Sequence, residues 1–403
     1  PSPSSGKLHI FYKAHIAFQR NLPGAPPEPA VFPMYSGYID VEMDGLQHKV
    51  YYVLCEAIRA YPLEAPLVVW LNGGPGASSL LGLLLEHGPY ILETDGSLRY
   101  NDFSWNQYSN VVLYIESPSF VGFSHVSNHS RYRNAKKLAR CATLYNSDSI
   151  LTPDNVYQDE ATATLNTDAL HVFMTKVHPR YADRDFFMTG ESNGGLYAPF
   201  LAREVLAGIK KGTFTNDRLK VTFLANGIAM GNAGMDIYTR MFSAVLQTFS
   251  MGMVSQKISE RLFEFWQITR DGNPGDWVVN DIWTWMGDFR YLLKSTNGTG
   301  ATYLYNLHLD CEDNDNNEDW HIEKKVQHAE CTFKAVPERY LNREDVQKAL
   351  HVISEGNTPL KWIAINHDVT LSYYQAFEIF HIYEGIVDSA KDDFRILYFS
   401  GDP

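Results

Sequence analysis

Ser192 stands at the centre of Gly190-Glu191-Ser192-Asn193-Gly194, directly after the apolar run Phe186 to Met188. A glycine two positions away on each side lets the chain turn tightly against its neighbours and pushes the central hydroxyl outward, as in a strand-to-helix nucleophile elbow. A serine at such a turn can equally cap the helix that follows, so the pentapeptide alone leaves both readings open. A second stretch bears on the choice. In "PLVVWLNGGPGASSLLGLLLEHGPY" a buried-type strand runs into Asn72-Gly73-Gly74-Pro75-Gly76 and then into a helix starting near Ser78. Acyl transfer at a serine needs two backbone N–H groups aimed at the developing oxyanion, one from the residue after the nucleophile and one from a loop after an early strand. Asn193 and Gly74 hold those two positions. Gly-Gly-Pro-Gly can also turn a chain with no chemistry attached, but its coincidence with the serine pentapeptide favours the oxyanion reading.

The elements that must position these residues are legible as alternating patterns. "YSGYIDV" from Tyr35 and "HKVYYVLCEA" from His48, separated by Asp44-Gly45, predict a hairpin. Short runs at Pro66–Leu71, Asn110–Ile115, Phe186–Met188, Leu219–Leu224 and Phe394–Phe399 are apolar on both faces and predict a buried sheet. Between them, Tyr157–Val177 places Ala161, Leu165, Ala169, Val172 and Phe173 on one helical face. Strand and helix therefore alternate as in a doubly wound, mostly parallel α/β fold. From about Met235 to Val336 the character changes: Trp266, Trp277, Trp283, Trp285 and Trp320 crowd together ahead of the acidic "DCEDNDNNEDW". This predicts an inserted, mainly helical cap whose tryptophans are either core or the lining of a cleft. "YLNREDVQKALHV" then reads as a capped helix and "FRILYFSGDP" as the last strand.

Composition narrows the partners. The 403 residues are 45% hydrophobic, enough for a large core, and 47 acidic against 34 basic side chains leave a formal charge of -13. That balance argues against nucleic acid or an anionic membrane as the main partner, and no run of 18 apolar residues predicts a membrane span. Cys55, Cys141, Cys311 and Cys331 form no CxxC pair, so no metal site is expected. Asn128-His129-Ser130 and Asn297-Gly298-Thr299 are candidate glycan acceptors if the chain enters a secretory compartment.

Five stretches, "WLNGGPGASSL", "ESPSFVGFSH", "TGESNGGLYAP", "GIAMGN" and "YLNREDVQKALHV", resemble in order the signatures of the serine carboxypeptidase family, over about Tyr35 to Asp402. The resemblance implies an α/β-hydrolase fold, with core residues 1–235 and 336–403 split by a helical cap at 236–335. It implies a cofactor-free peptidase acting on peptide C-termini in acid. Ser192 would be the nucleophile and Gly74 and Asn193 the oxyanion hole, while Asn72, Gly73, Glu86 and Glu191 would hold the substrate carboxylate. It further implies a Cys311–Cys331 disulfide, leaves a homodimer open, and points to a lysosomal, vacuolar or extracellular home.

The chemistry of the carboxylate site can be argued separately. A carboxypeptidase must recognise a free carboxylate beside the scissile bond, yet no Arg or Lys lies near these motifs. If Glu86 and Glu191 meet in a buried place, repulsion keeps a proton between them that can be donated to substrate. Without the resemblance, Glu86 reads as a solvated helix glutamate. Departures from the family pattern are also informative. Ala77 and Ile365 stand where the family has two cysteines, which implies loss of one whole disulfide and predicts that the two residues are neighbours. Phe120 replaces a glycine, and Asn193 replaces a tyrosine. Asp402 is the glycine-flanked aspartate of the family's "YSGD" motif. None of the 14 histidines falls in a catalytic motif, and His87, His125 and His367 read as structural or surface residues. The expectation is a C-terminally truncated sequence whose catalytic Asp and His lie further on. The alternatives are an acyltransferase built on the same nucleophile and a non-catalytic binding or protective homologue.

Overall fold

The computed structural model describes residues 17–19, 22–27, 32–58, 65–108, 111–127, 158–216, 221–234, 237–252, 254–271, 334–352, 360–373, 379–390 and 392–401. The strands of its main sheet are β1 (Ala17–Gln19), β2 (Met34–Met43), β3 (Leu46–Cys55), β4 (Leu67–Leu71), β5 (Val111–Ile115), β6 (His125–Ser127), β7 (Asp185–Glu191), β8 (Leu224–Gly231) and β9 (Arg395–Phe399). Its helices are α1 (Asp159–Val172), α2 (Gly194–Lys211), α3 (Ile237–Ser250), α4 (Gln256–Asp271), α5 (Ala335–Leu341), α6 (Glu344–Ala349), α7 (His367–Ser372) and α8 (Phe380–Ser389).

The strand order is β1-β2-β3-β5-β4-β7-β8-β9, with β6 on β3. The β2–β3 hairpin pairs Met34 with Cys55 and Met43 with Leu46, and Asp44 and Gly45 turn it with positive φ. From β5 to β9 every pairing in the path is parallel. All five residues of β4 and all five of β5 are buried, which explains why these strands read as continuous apolar runs instead of alternating ones. One face of the sheet packs Trp70, Tyr114, Val53 and Val68 with Leu83, Leu84, Trp362 and Tyr340 in the principal core.

Three sequence readings are corrected. β9, whose apolar run reads as buried on both faces, has all five residues exposed at the end of the strand path. Of the run read as a core strand at Leu219–Leu224, Val221–Thr222 belongs to a separate two-stranded ribbon, and the main sheet is entered by β8, Leu224–Gly231. Within β8, Gly227 is required because a Cβ there would stand 2.5 Å from the Arg395 carbonyl of β9. "YLNREDVQKALHV" is not one helix either. α5 ends at Leu341 and α6 begins at Glu344, and Asn342 bridges outward to the Trp362 carbonyl at 2.8 Å.

The chain forms two compact units. One comprises Pro1–Ala233, Phe333–Ala376 and Phe380–Ser400, and the other Gly234–Thr332, Phe377–Ile379 and Gly401–Pro403. Within the second, α3 packs on α4, with Phe242 and Phe263 at a ring separation of 5.5 Å and Val245 and Leu262 buried. Asn128, Cys141, Asn297, Cys311 and Cys331 lie outside the described residues, as do Trp277, Trp283, Trp285 and Trp320. Among the described residues no helix is long and apolar enough to cross a membrane.

Candidate active site

The site forms at the carboxyl ends of the parallel strands β4, β7 and β8, where Leu71 pairs with Gly190 and Gly231 with Glu191. In open, mostly parallel sheets the loops leaving the carboxyl ends of the strands form ligand sites where the strand order reverses. Ser192 bridges β7 and α2 with φ of 58°, a conformation that costs a non-glycine residue about 1–2 kcal/mol and is held here by the turn. Its N–H donates to the Gly231 carbonyl at 3.1 Å, and its carbonyl accepts from Gly195 N at 3.0 Å. The serine is therefore an elbow residue. No side-chain bond caps α2 from Asn193, which has helical φ and ψ, and among the described residues nothing bonds the Ser192 hydroxyl.

The glycines act by proximity. A Cβ on Gly190 would lie 2.6 Å from the Gly194 carbonyl, and one on Gly194 would lie 2.4 Å from the Leu71 carbonyl. Gly73 is closer still: its Cβ would meet Asn193 N at 2.2 Å and the Glu191 carbonyl at 2.7 Å. The Asn72–Gly76 loop thus lies against the elbow, and Gly74 is exposed while Asn193 is buried. The two candidate oxyanion donors come from chain segments brought together in this way.

Asn72 organises the neighbouring acidic pair. Its side-chain N–H₂ donates to Glu86 Oε1 and to Glu191 Oε2, each at 3.2 Å. Its Oδ1 accepts from Trp70 Nε1 at 2.7 Å and from Gly82 N at 3.0 Å, and its own N–H reaches Ser79 Oγ at 3.2 Å. Every polar group of this buried amide is engaged, so its orientation is set by the surroundings. Glu86 ends a π-helical turn, Gly82–Glu86. Burial, then the Glu191 carboxylate, push its carboxyl up to about 7 against the bond from Asn72. Glu86 nevertheless keeps open contact with solvent. Burial and the nearby Glu191 carboxylate push its carboxyl the same way, and contact with water opposes them. Burial also raises the Glu191 carboxyl, again opposed by Asn72. The acidic pair holds a proton at neutral pH more readily than either carboxyl would alone.

Sequence patterning did not find the support around this site. Trp70 reads only as an apolar strand residue, although its indole N–H orients Asn72. His87 is buried, with its ring 4.1 Å from those of both Trp70 and Trp105, and burial lowers its basicity to about 3; it is structural. His125 is likewise buried, and His367 is exposed at the start of α7. Glu116 is fully buried and accepts from Ser78 Oγ, from Phe123 N at 2.5 Å and from Trp362 Nε1 at 3.1 Å. Ala77 and Ile365 face each other in an isolated antiparallel bridge, as neighbours filling the place of an absent cross-link should. Cys55 is buried with a free thiol. Among the described residues no group of three His, Cys, Asp or Glu could hold a metal ion.

The chain is similar to known proteins over most of its length. A family model described as serine carboxypeptidase matches residues 23–403. Serine carboxypeptidase ctsa-3.1 of Caenorhabditis elegans is 32% identical over 311 residues, covering 73% of this chain and 48% of that protein. The lysosomal protective protein of Mus musculus is 28% identical over 421 residues, covering 94% of this chain and 76% of that one. The chain thus spans about half the length of the nematode relative and about three quarters of the mouse one. Among solved structures, a prohormone-processing carboxypeptidase of Saccharomyces cerevisiae, Kex1(delta)p, superposes with a TM-score of 0.71 at 20% identity, over 96% of this chain and 78% of that one. That likeness shows the fold, an α/β-hydrolase with a mostly parallel central sheet.

Proposed function

The chain belongs to the serine carboxypeptidase family of hydrolases, and on that premise we propose that it releases single residues from the C-termini of peptides through an acyl-enzyme on Ser192. The observation that carries this reading is the convergence, beside one strained serine, of a glycine loop and of two glutamates tied to a single asparagine. Ser192 Oγ attacks the scissile carbonyl carbon as a general base takes its proton. The N–H groups of Gly74 and Asn193 receive the oxyanion, the leaving amine takes a proton, and water then cleaves the ester to regenerate the hydroxyl. Asn72, Gly73, Glu86 and Glu191 hold the substrate carboxylate. A protonated glutamate serves here where arginine would in other sites, because it is neutral and donates a hydrogen bond in acid. The ester donor of an acyltransferase carries no free carboxylate beside the bond that is cleaved and has no need of this pair, so the acyltransferase alternative is not favoured.

The relatives include a lysosomal protein, consistent with a secretory-pathway address; we place this protein in a lysosomal or vacuolar compartment, where acid keeps the pair protonated. The segment from 236 to 335 is proposed as an inserted helical cap, Cys311 and Cys331 as a disulfide, and Asn128 and Asn297 as glycan sites. A homodimer remains a proposal of the family resemblance alone. The test of the activity is direct: the full natural chain is incubated at acidic pH with a blocked dipeptide bearing a free C-terminus. Release of the terminal amino acid by wild type and none by Ser192→Ala is expected. Turnover that survives Ser192→Ala overturns the assignment, and binding of peptide without any turnover favours the non-catalytic homologue.

A further inference from the structure

The glycine loop is held from behind by residues 364–370, and we propose that Asn366 and Thr370 are positioning residues for the oxyanion hole, taking over by hydrogen bonds the task of a cross-link between positions 77 and 365. The proposal rests on the reading of Gly74 and Asn193 as oxyanion donors.

The backbone contacts come first. Ser78 N donates to the Ala364 carbonyl at 2.9 Å and Asn366 N donates to the Gly76 carbonyl at 2.9 Å, flanking the bridge between Ala77 and Ile365. In this pattern the two facing residues make no bond to each other and their side chains stand closest, the geometry in which a disulfide fits across two antiparallel segments. Alanine and isoleucine supply no covalent link, so the loop's position depends on other bonds.

Two side chains provide them. Thr370 Oγ1 donates to the Pro75 carbonyl at 2.6 Å, one residue beyond Gly74. Asn366 Nδ2 donates to the Phe120 carbonyl at 2.8 Å, and Asn366 Oδ1 accepts from Asp368 N at 3.1 Å, capping the helix that carries Thr370. The fit leaves no slack, since a Cβ on Gly76 would stand 2.7 Å from the Asn366 carbonyl and 3.0 Å from Thr370 Oγ1. α7 is itself anchored just past its end, where Tyr373 OH meets Asp159 Oδ1 at 3.0 Å and Thr162 Oγ1 at 2.9 Å. Phe120 has φ of 71°, and the bond from Asn366 to its carbonyl fixes a backbone that a phenylalanine adopts only under tertiary constraint. One asparagine and one threonine therefore tie the Gly73–Gly76 loop, the Phe120 loop and α7 into a single unit.

A donor shifted by a fraction of an ångström loses little for a ground-state carbonyl and much for an oxyanion, so the consequence falls on kcat. The experiment uses the full natural chain and a free-acid peptide. Thr370→Val removes the hydroxyl at constant shape, and Asn366→Asp keeps the helix cap while removing the donor to Phe120. Each is expected to lower kcat by about tenfold with KM within about twofold. Adding Ala77→Cys and Ile365→Cys to Thr370→Val should restore most of kcat when oxidised and lose it again on reduction. An active wild type whose kcat is unchanged by Thr370→Val overturns this proposal alone, as does a disulfide that raises Tm without restoring kcat. A wild type inactive on every free-acid peptide overturns the carboxypeptidase reading and this proposal with it.

Discussion

Glu86 Oε1 and Glu191 Oε2 hang on the same nitrogen, the Asn72 side-chain amide, at 3.2 Å each. Two anions on one donor in a concave site repel, and the cheapest relief is to keep a proton between them. On the proposed function, the arrangement makes a pair of acids a hydrogen-bond donor for a third carboxylate, that of the substrate.

The pH dependence of substrate binding follows. Glu86 is raised to about 7, by burial first and by Glu191 second. Below that pH the pair carries a proton to donate; above it, two anions face a third. KM for free-acid peptides should therefore climb as pH rises through neutrality, and KM for the corresponding C-terminal amides should climb less. Glu86→Gln should flatten the climb. Steady-state kinetics from pH 4.5 to 8 decide it, and equal slopes for acids and amides would falsify the carboxylate assignment.

A different carboxyl, Glu116, should contribute stability that falls as pH rises. Burial pushes Glu116 up to about 7 despite the bonds from Ser78, Phe123 and Trp362. A carboxyl whose folded value exceeds its unfolded one of about 4.3 contributes stability that is complete below the unfolded value and is lost as pH rises through the folded one. For this fully enclosed group the loss between pH 4.5 and 7.5 is on the order of 3 kcal/mol. Urea midpoints of wild type and Glu116→Gln across that range measure it by difference, because buried His87 and His178, held neutral, move the whole-protein profile the opposite way. A wild-type advantage over Glu116→Gln that does not shrink as pH rises contradicts it.

The strain at Ser192 separates stability from activity. At φ of 58°, glycine is relaxed and alanine is not, so Ser192→Gly should be more stable than Ser192→Ala by about 1 kcal/mol. Both should lose turnover by at least about 10³-fold, since the nucleophile is gone in each. Thermal melts of the two variants, with residual hydrolysis, make the comparison; an alanine variant as stable as the glycine one means the elbow is unstrained.

Gly73 has no space for a methyl group. With Asn193 N only 2.2 Å from the Cβ position, Gly73→Ala must push the glycine loop and the elbow apart, costing about 1–3 kcal/mol and most of kcat. A soluble Gly73→Ala protein with wild-type kinetics would show that the two segments are not in contact during catalysis.

Much of the fold and the centre of the site were legible in the residues themselves. β2, β3, β4, β5 and β7 could be read because hairpin strands alternate and buried parallel strands do not, and both patterns are local; β9 was found as a strand, but its apolar residues, which read as buried, are exposed at the end of the sheet. GxSxG and the glycine loop could be read because a tight turn admits few residue types. β8 escaped because its Gly227 answers to the Arg395 carbonyl on a neighbouring strand far along the chain, a requirement that no window around residue 227 contains. The break between α5 and α6 escaped for the same reason, as Asn342 spends its side chain on Trp362. By itself the sequence determined which backbone segments turn, extend or coil, and which residue types were on hand for acyl transfer. Only the tertiary structure decided that Asn72 holds Glu86 and Glu191 together, that Trp70 orients Asn72, and that Asn366 and Thr370 brace the glycine loop. Those bonds join residues from distant parts of the chain, and a donor and an acceptor become partners only when packing of the sheet and helices brings them within about 3 Å.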